Sequence, residues 1–171
     1  MHCQITNPRI LQGIKDQDLL AYIQPVFIDL DMNTVEPAIG AQRMDKVYAW
    51  KSMLDMGIHT SGGSDAPVVS FDAMENIYFA VTRKNISGQP QEGWIPSEKI
   101  SVDEAVKLFT KNAAYASYTE DENGTIEVGK NADFVVLEKN IYEIDPDEIK
   151  ATKVDMTVLG GEIVYEREVE E

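Results

Sequence analysis

The chain is 171 residues long and 43 % hydrophobic, with 30 acidic residues against 15 basic ones and a net charge of −15. That composition supports a real core in one domain, or one domain with a small appendage, whereas a closed eight-stranded barrel of alternating strands and helices takes about 250 residues. The acidity excludes nucleic acid and anionic membrane surfaces as partners, because both are held by clustered Lys and Arg, and it reads as a solubility device.

Cys3 is the single cysteine, so no internal disulfide forms and a reducing compartment suits the chain. No apolar run approaches the ~20 residues of a membrane helix. Residues 1–6 lack the basic-then-apolar order of a signal peptide. A cytoplasmic protein is the expectation.

In chain order, Asn7-Pro8 opens a helix over 7–20 that carries Ile10, Leu11, Ile14, Leu19 and Leu20. Residues 21–28 are an apolar run suited to a buried strand, with Pro25 at its end because it has no N–H. Residues 29–42 read as a polar loop with Pro37 and Gly40. Val47, Trp50, Met53 and Leu54 form the stripe of an amphipathic helix over 43–56, closed by Gly57. A strand and turn follow over 57–65, then a helix over 71–82 and a loop over 84–99. Ser101 and Glu104 form a capping box that opens a helix to Ala116, with Ala105, Leu108, Phe109 and Ala113 inward. From Gly124 the pattern changes to short strands at 125–128, 134–137, 156–159 and 163–165. Gly160-Gly161 is a hairpin signal, a helical turn is expected within 142–149, and the tail at 166–171 is expected to fray.

The segment Gly57-Ile58-His59-Thr60-Ser61-Gly62-Gly63-Ser64-Asp65-Ala66-Pro67-Val68 runs a short strand into glycines and then presents an aspartate before a helix. Taken alone, Ser64-Asp65 is a helix-start turn. It is also the place where an α/β barrel puts catalytic groups, just past a strand's C-terminal end.

Several segments in order carry a resemblance: His2-Cys3-Gln4 leading to Gln24-Pro25; Arg43, Tyr48 and Trp50 leading to Gly63-Ser64-Asp65-Ala66-Pro67-Val68; Ala80-Val81-Thr82-Arg83; Ser101 through Glu104-Ala105 to Thr110 and Asn112-Ala113-Ala114; and Gly124-Thr125-Ile126-Glu127-Val128-Gly129-Lys130-Asn131-Ala132-Asp133. Together they resemble the amidohydrolase superfamily, in its amidohydrolase-3 group, which includes metal-dependent hydrolases with an exoenzyme-regulatory label. The resemblance implies an α/β fold: the C-terminal fragment of a TIM barrel, strands six to eight with their helices over 1–120, plus part of a small composite β-sandwich over 121–171. It implies hydrolysis of a non-peptide C–N bond, such as an amide, by a metal-activated water.

By the same resemblance, Asp65 falls on the strand-eight aspartate that binds the metal and shuttles the proton, and His2 on the strand-six metal ligand. The chemistry agrees, since zinc takes imidazole and carboxylate ligands and lowers the pKa of its water toward neutrality. The strand-one His-x-His pair, the strand-four bridging residue and the strand-five histidine have no counterpart here, and a zinc site takes three or four protein ligands. The expectation is therefore a fragment inactive alone, with the N-terminal part of a parent and a small-molecule amide as partners. The alternative is a non-catalytic regulatory or interaction module that keeps the fold. An incomplete barrel leaves an open strand edge, so a homo-oligomer is expected; a monomer by light scattering at high concentration contradicts this.

Other residues have plainer readings beside functional ones. Gln24, at a strand end, is a candidate substrate contact. Arg43 and Arg83 suit either a bidentate hold on a substrate carboxylate or salt bridges on a helix surface. His59 reads as a packed or hydrogen-bonded side chain, Cys3 as a small buried residue, and Asp133 as a turn closer or an acceptor of backbone N–H groups.

Overall fold

A computed structural model describes residues 2–168. Helix α1 (Pro8–Asp16) begins where the Asn7 side chain accepts the Ile10 N–H at 2.9 Å, with Pro8 in the first turn. It stops short of the expected Leu20, and Asp18 turns the chain with a φ of 51°. Strand β1 (Ala21–Ile23) runs parallel to β2 (Thr60–Gly62), in register Ala21↔Thr60 and Ile23↔Gly62. Both strands are shorter than the apolar runs suggest. Beyond Ile23, Pro25 has no donor for a ladder, and the chain folds into α2 (Phe27–Asp31), which starts inside the expected strand, and then α3 (Val35–Ile39), where a loop was expected. Helices this short do not persist alone; burial of Phe27, Ile28 and Val35 in the core holds them.

The expected helix over 43–56 is broken. A 3₁₀ turn (Ala41–Lys46) leads to an antiparallel bridge between Ile5 and Val47, and only then does α4 (Trp50–Asp55) begin. The cause is the N-terminal segment. The Tyr48 N–H donates to the Gln4 carbonyl at 2.7 Å and the Thr6 N–H to the Lys46 carbonyl at 3.1 Å, so these groups are not available to a helix. Tyr48 takes a φ of 51° to make the turn. The periodic stripe is still buried: Val47, Trp50 and Met53 lie in the core. The start of α4 is capped from a distant 3₁₀ turn (Pro96–Glu98), where the buried Glu98 accepts the Ser52 N–H at 2.8 Å and the Ser52 hydroxyl at 2.5 Å. A carboxylate there satisfies an orphan amide and complements the helix dipole.

Helix α5 (Ala73–Thr82) is capped by Asp72, which accepts from the Met74 and Glu75 N–H groups at 2.8 and 3.3 Å. It ends at Arg83, and here the expectation of a helix-surface salt bridge or substrate fork fails. Arg83 is 0 % exposed. Its guanidinium carbon lies 4.6 Å from the Trp50 ring centroid and 5.6 Å from that of Trp94, and its Nε and Nη1 donate to the Trp94 and Tyr48 carbonyls at 2.6 and 3.0 Å.

The capping box at Ser101 forms as read, but the expected helix to Ala116 divides into α6 (Val102–Phe109) and α7 (Lys111–Ala116) at Thr110. After the break, the Asn112 side chain donates to the Thr60 carbonyl of β2 at 2.9 Å. Phe109 lies so close to β2 that a Cβ on Gly62 would come within 2.7 Å of its ring, so any side chain there has to displace the ring.

The C-terminal part forms an antiparallel sheet of β3 (Phe134–Leu137), β4 (Val154–Leu159) and β5 (Glu162–Glu166), in the order β3-β4-β5. The hairpin between β4 and β5 is made by Gly160 and Gly161, both with positive φ, as a type I′ turn requires. Residues 125–128 are not a strand. Ile126 and Val128 are exposed, and the Lys130 ammonium draws the segment into a loop by donating to the Glu120 carbonyl at 2.6 Å and the Thr125 hydroxyl at 2.7 Å. The expected frayed tail is corrected over Glu166 and Arg167: Glu166 closes β5, and the Arg167 N–H donates to the Asp155 carbonyl at 2.8 Å. Residues 169–171 lie outside the described residues. A 3₁₀ turn (Pro146–Ala151) fastens this part to α5 by the buried Ile149, the Lys84–Asp147 ion pair at 2.7 Å and Lys150 stacked 4.4 Å over the Tyr78 ring.

Candidate functional site

The parallel register brings the ends of β1 and β2 to one edge. The Gly63 N–H donates to the Ile23 carbonyl at 3.0 Å, so Gln24 and Gly63 leave the sheet side by side. At that edge Gln24 is turned inward at 5 % exposure, and its Oε1 lies 2.9 Å from His2 Nδ1. The His2 ring stacks on Phe27, with centroids 5.9 Å apart and planes 15° from parallel. His2 and Cys3 both hold left-handed backbone, with φ of 68° and 51°. Strain of this kind gathers at functional sites.

Asp65 follows β2 beyond the same C-terminal edge. It is exposed, has a φ of 64°, and its carbonyl accepts the Val68 N–H at 3.0 Å. Ser64-Asp65 does not start a helix, because Asp72 is the cap of α5. Arg43 is exposed on the 3₁₀ turn Ala41–Lys46. His59 lies at the opposite end of β2 and stacks on Tyr115, with centroids 4.4 Å apart. Cys3, expected buried, is only half-buried against the core, and the Asp133 carboxylate accepts the Gly160 N–H at 2.7 Å.

Behind His2, a hydrogen-bonded trio fixes its segment. Gln4 Nε2 donates to Asp31 Oδ2 at 3.0 Å and to the Tyr48 hydroxyl at 2.8 Å, and that hydroxyl donates to Asp31 Oδ2 at 2.5 Å. Burial first, and then the Asp31 bond and charge, push the Tyr48 phenol well above its ordinary range. Sequence reading missed this trio, as it missed the Arg83 packing. Gln4, Asp31 and Tyr48 are spread over 44 positions, and no periodicity joins them.

The donor chemistry at this edge suits a divalent cation: an imidazole whose Nδ1 is engaged and whose Nε2 remains, and an exposed carboxylate. The count falls short of a closed site, since no cluster of three or more His, Cys, Asp or Glu among the described residues is arranged to hold a metal.

The sequence pattern of the Amidohydrolase family matches residues 1–165. The chain belongs to that family. It is 34 % identical over 167 residues to the putative amidohydrolase YtcJ of Bacillus subtilis, covering 98 % of this chain and 32 % of the relative. It is 35 % identical over 122 residues to an N-substituted formamide deformylase of Arthrobacter pascens, covering 71 % of this chain and 22 % of the relative. The chain thus spans at most about a third of the length of these relatives. In fold it is similar to an uncharacterized metal-dependent hydrolase from Pyrococcus horikoshii, with a TM-score of 0.75 at 20 % identity, over 85 % of this chain and 29 % of that one. Among the described residues no helix is long and apolar enough to cross a membrane.

Proposed function

We propose that this chain is the C-terminal portion of a metal-dependent amidohydrolase that cuts a non-peptide C–N bond such as an amide. On this reading the His2 segment ends the sixth strand of a TIM barrel, β1 and β2 are the seventh and eighth, and residues 121–171 contribute part of a composite β-sandwich. The observation that carries it is the placement of Asp65 just beyond β2, at the edge where Gln24 and His2 meet beyond β1. Catalytic groups of α/β barrels occupy that edge.

A divalent metal, zinc by the donor types, supplies when bound a water with a pKa of about 7. His2 and Asp65 contribute an imidazole nitrogen and a carboxylate oxygen to hold it, together with donors from the region of the relatives that this chain does not span. Asp65 is exposed and unburdened by a capping role, so it also takes a proton at a carboxylate oxygen and passes it to the departing amine nitrogen. The formamide deformylase among the relatives supports an amide as the substrate class.

A second reading, a regulatory or interaction module that keeps the fold without the chemistry, is favoured by the lack of a three-donor cluster among the described residues. Calorimetric zinc titration of the chain begins to separate the two. Tight, near-stoichiometric binding that is lost in Asp65→Asn supports the hydrolase reading. Equal weak heats in both proteins mean that His2 and Asp65 hold no metal without the donors this chain does not span; zinc-dependent amide hydrolysis by the full-length protein, lost in Asp65→Asn, then supports the hydrolase, and its absence supports the module.

A further inference from the structure

We infer that Gln24 is the positioning residue of His2: its carboxamide oxygen accepts the Nδ1–H, so that Nε2 is the unprotonated nitrogen offered to a metal. This role rests on the metal reading of His2 and deepens it. A neutral imidazole carries one N–H and one lone pair, and the partner of one nitrogen decides the state of the other. Here the partner is 22 positions away in sequence and 2.9 Å away in space.

Several features make the contact a built one. Gln24 is 5 % exposed, so its carboxamide needs a partner inside the protein. The turn over 24–27 that holds it is closed by the Phe27 N–H donating to the Gln24 carbonyl at 3.1 Å, and the same turn presents the Phe27 ring against which His2 stacks. One turn therefore supplies both the acceptor and the flat face, which together fix the tautomer and the plane of the imidazole. A carboxamide placed to bind substrate would face the open edge, whereas this one is turned to His2. Ligating histidines commonly donate their second N–H to such a partner, and the partner sets ring orientation. A glutamine does this without adding charge.

The test is nitrogen NMR on the 171-residue chain, which has two histidines. Two-bond proton–nitrogen correlation at a pH of about 8.5, where an ordinary imidazole is neutral, reads the tautomer of each ring. His2 is expected to show protonated Nδ1 and bare Nε2. Gln24→Ala returns it to a mixed pattern, Gln24→Glu restores the acceptor and the pattern, and His59, against Tyr115, stays constant throughout. Should Gln24→Ala not fold, the wild type and Gln24→Glu decide. A wild-type His2 with protonated Nε2, or a pattern unmoved by Gln24→Ala, overturns the role of Gln24 and leaves the metal reading standing. The metal reading is tested apart from this, by zinc binding and activity of the full-length protein; its failure leaves the tautomer pattern as measured and removes only the metal from the role of Gln24.

Discussion

Arg83 and Asp65 are both charged residues that a sequence reader marks for function, and they occupy opposite surroundings. Arg83 is sealed in the core against Trp50 and Trp94, with backbone carbonyls as its hydrogen-bond acceptors. Burial pulls its guanidinium down to about 10, against the raising influence of Glu98. Asp65 stands exposed past the end of β2 on left-handed backbone. The difference shows that accessibility, more than residue type, decides what a charge does. A cation sealed between two indoles, with Nε and Nη1 bonded to backbone carbonyls and Nη2 buried without a partner among the described residues, is out of a ligand's reach, whereas an exposed carboxylate at a strand end is free to meet one.

The comparison breaks most readily at Arg83. Arg83→Ala strips donors from the Trp94 and Tyr48 carbonyls and empties the space against two indoles. Urea unfolding is expected to show a loss of about 3–5 kcal/mol. A loss below about 1 kcal/mol, the range of an ordinary surface change, would return Arg83 to the pool of functional candidates.

Tyr48 sharpens the comparison through pH. At neutral pH, Tyr48→Phe removes hydrogen bonds to Asp31 and Gln4 and is expected to cost about 1–2 kcal/mol. In the unfolded chain the phenol ionises near 10, whereas burial and Asp31 keep it protonated when folded. The folded state then binds the proton more tightly, so this stabilisation is complete below about pH 10 and is lost as pH rises above it. Arg83 works in the opposite sense over that range, because its folded value is lowered and the unfolded chain holds more protons there. The slope difference between wild type and Tyr48→Phe isolates the tyrosine, and urea midpoints measured from about pH 9 to 11 are expected to fall less steeply in the variant.

The smallest effect on stability belongs to Asp65. Asp65→Asn keeps a residue that tolerates left-handed backbone, and thermal or urea unfolding is expected to stay within about 0.5 kcal/mol of wild type. A larger loss would make Asp65 a structural residue and remove the contrast with Arg83.

The sequence by itself determined what is encoded within a few neighbouring residues. Asn7-Pro8 starts α1, Ser101 with Glu104 starts α6, and Gly160-Gly161 turns β4 into β5, because each is a local match of side-chain donor, acceptor or φ to a backbone need. The motif order also marked Asp65 and His2. Only the tertiary structure decided the rest. The pairing of residues 4–6 with Val47 and Tyr48 broke an amphipathic stripe that reads as one helix, and the core's demand for a cation between Trp50 and Trp94 drew Arg83 inside. The turn after β1 brought Gln24 and Phe27 to His2. The physical reason is that backbone donors and side-chain shapes bind whichever partner the fold brings near, and across tens of residues nothing in the local pattern names that partner.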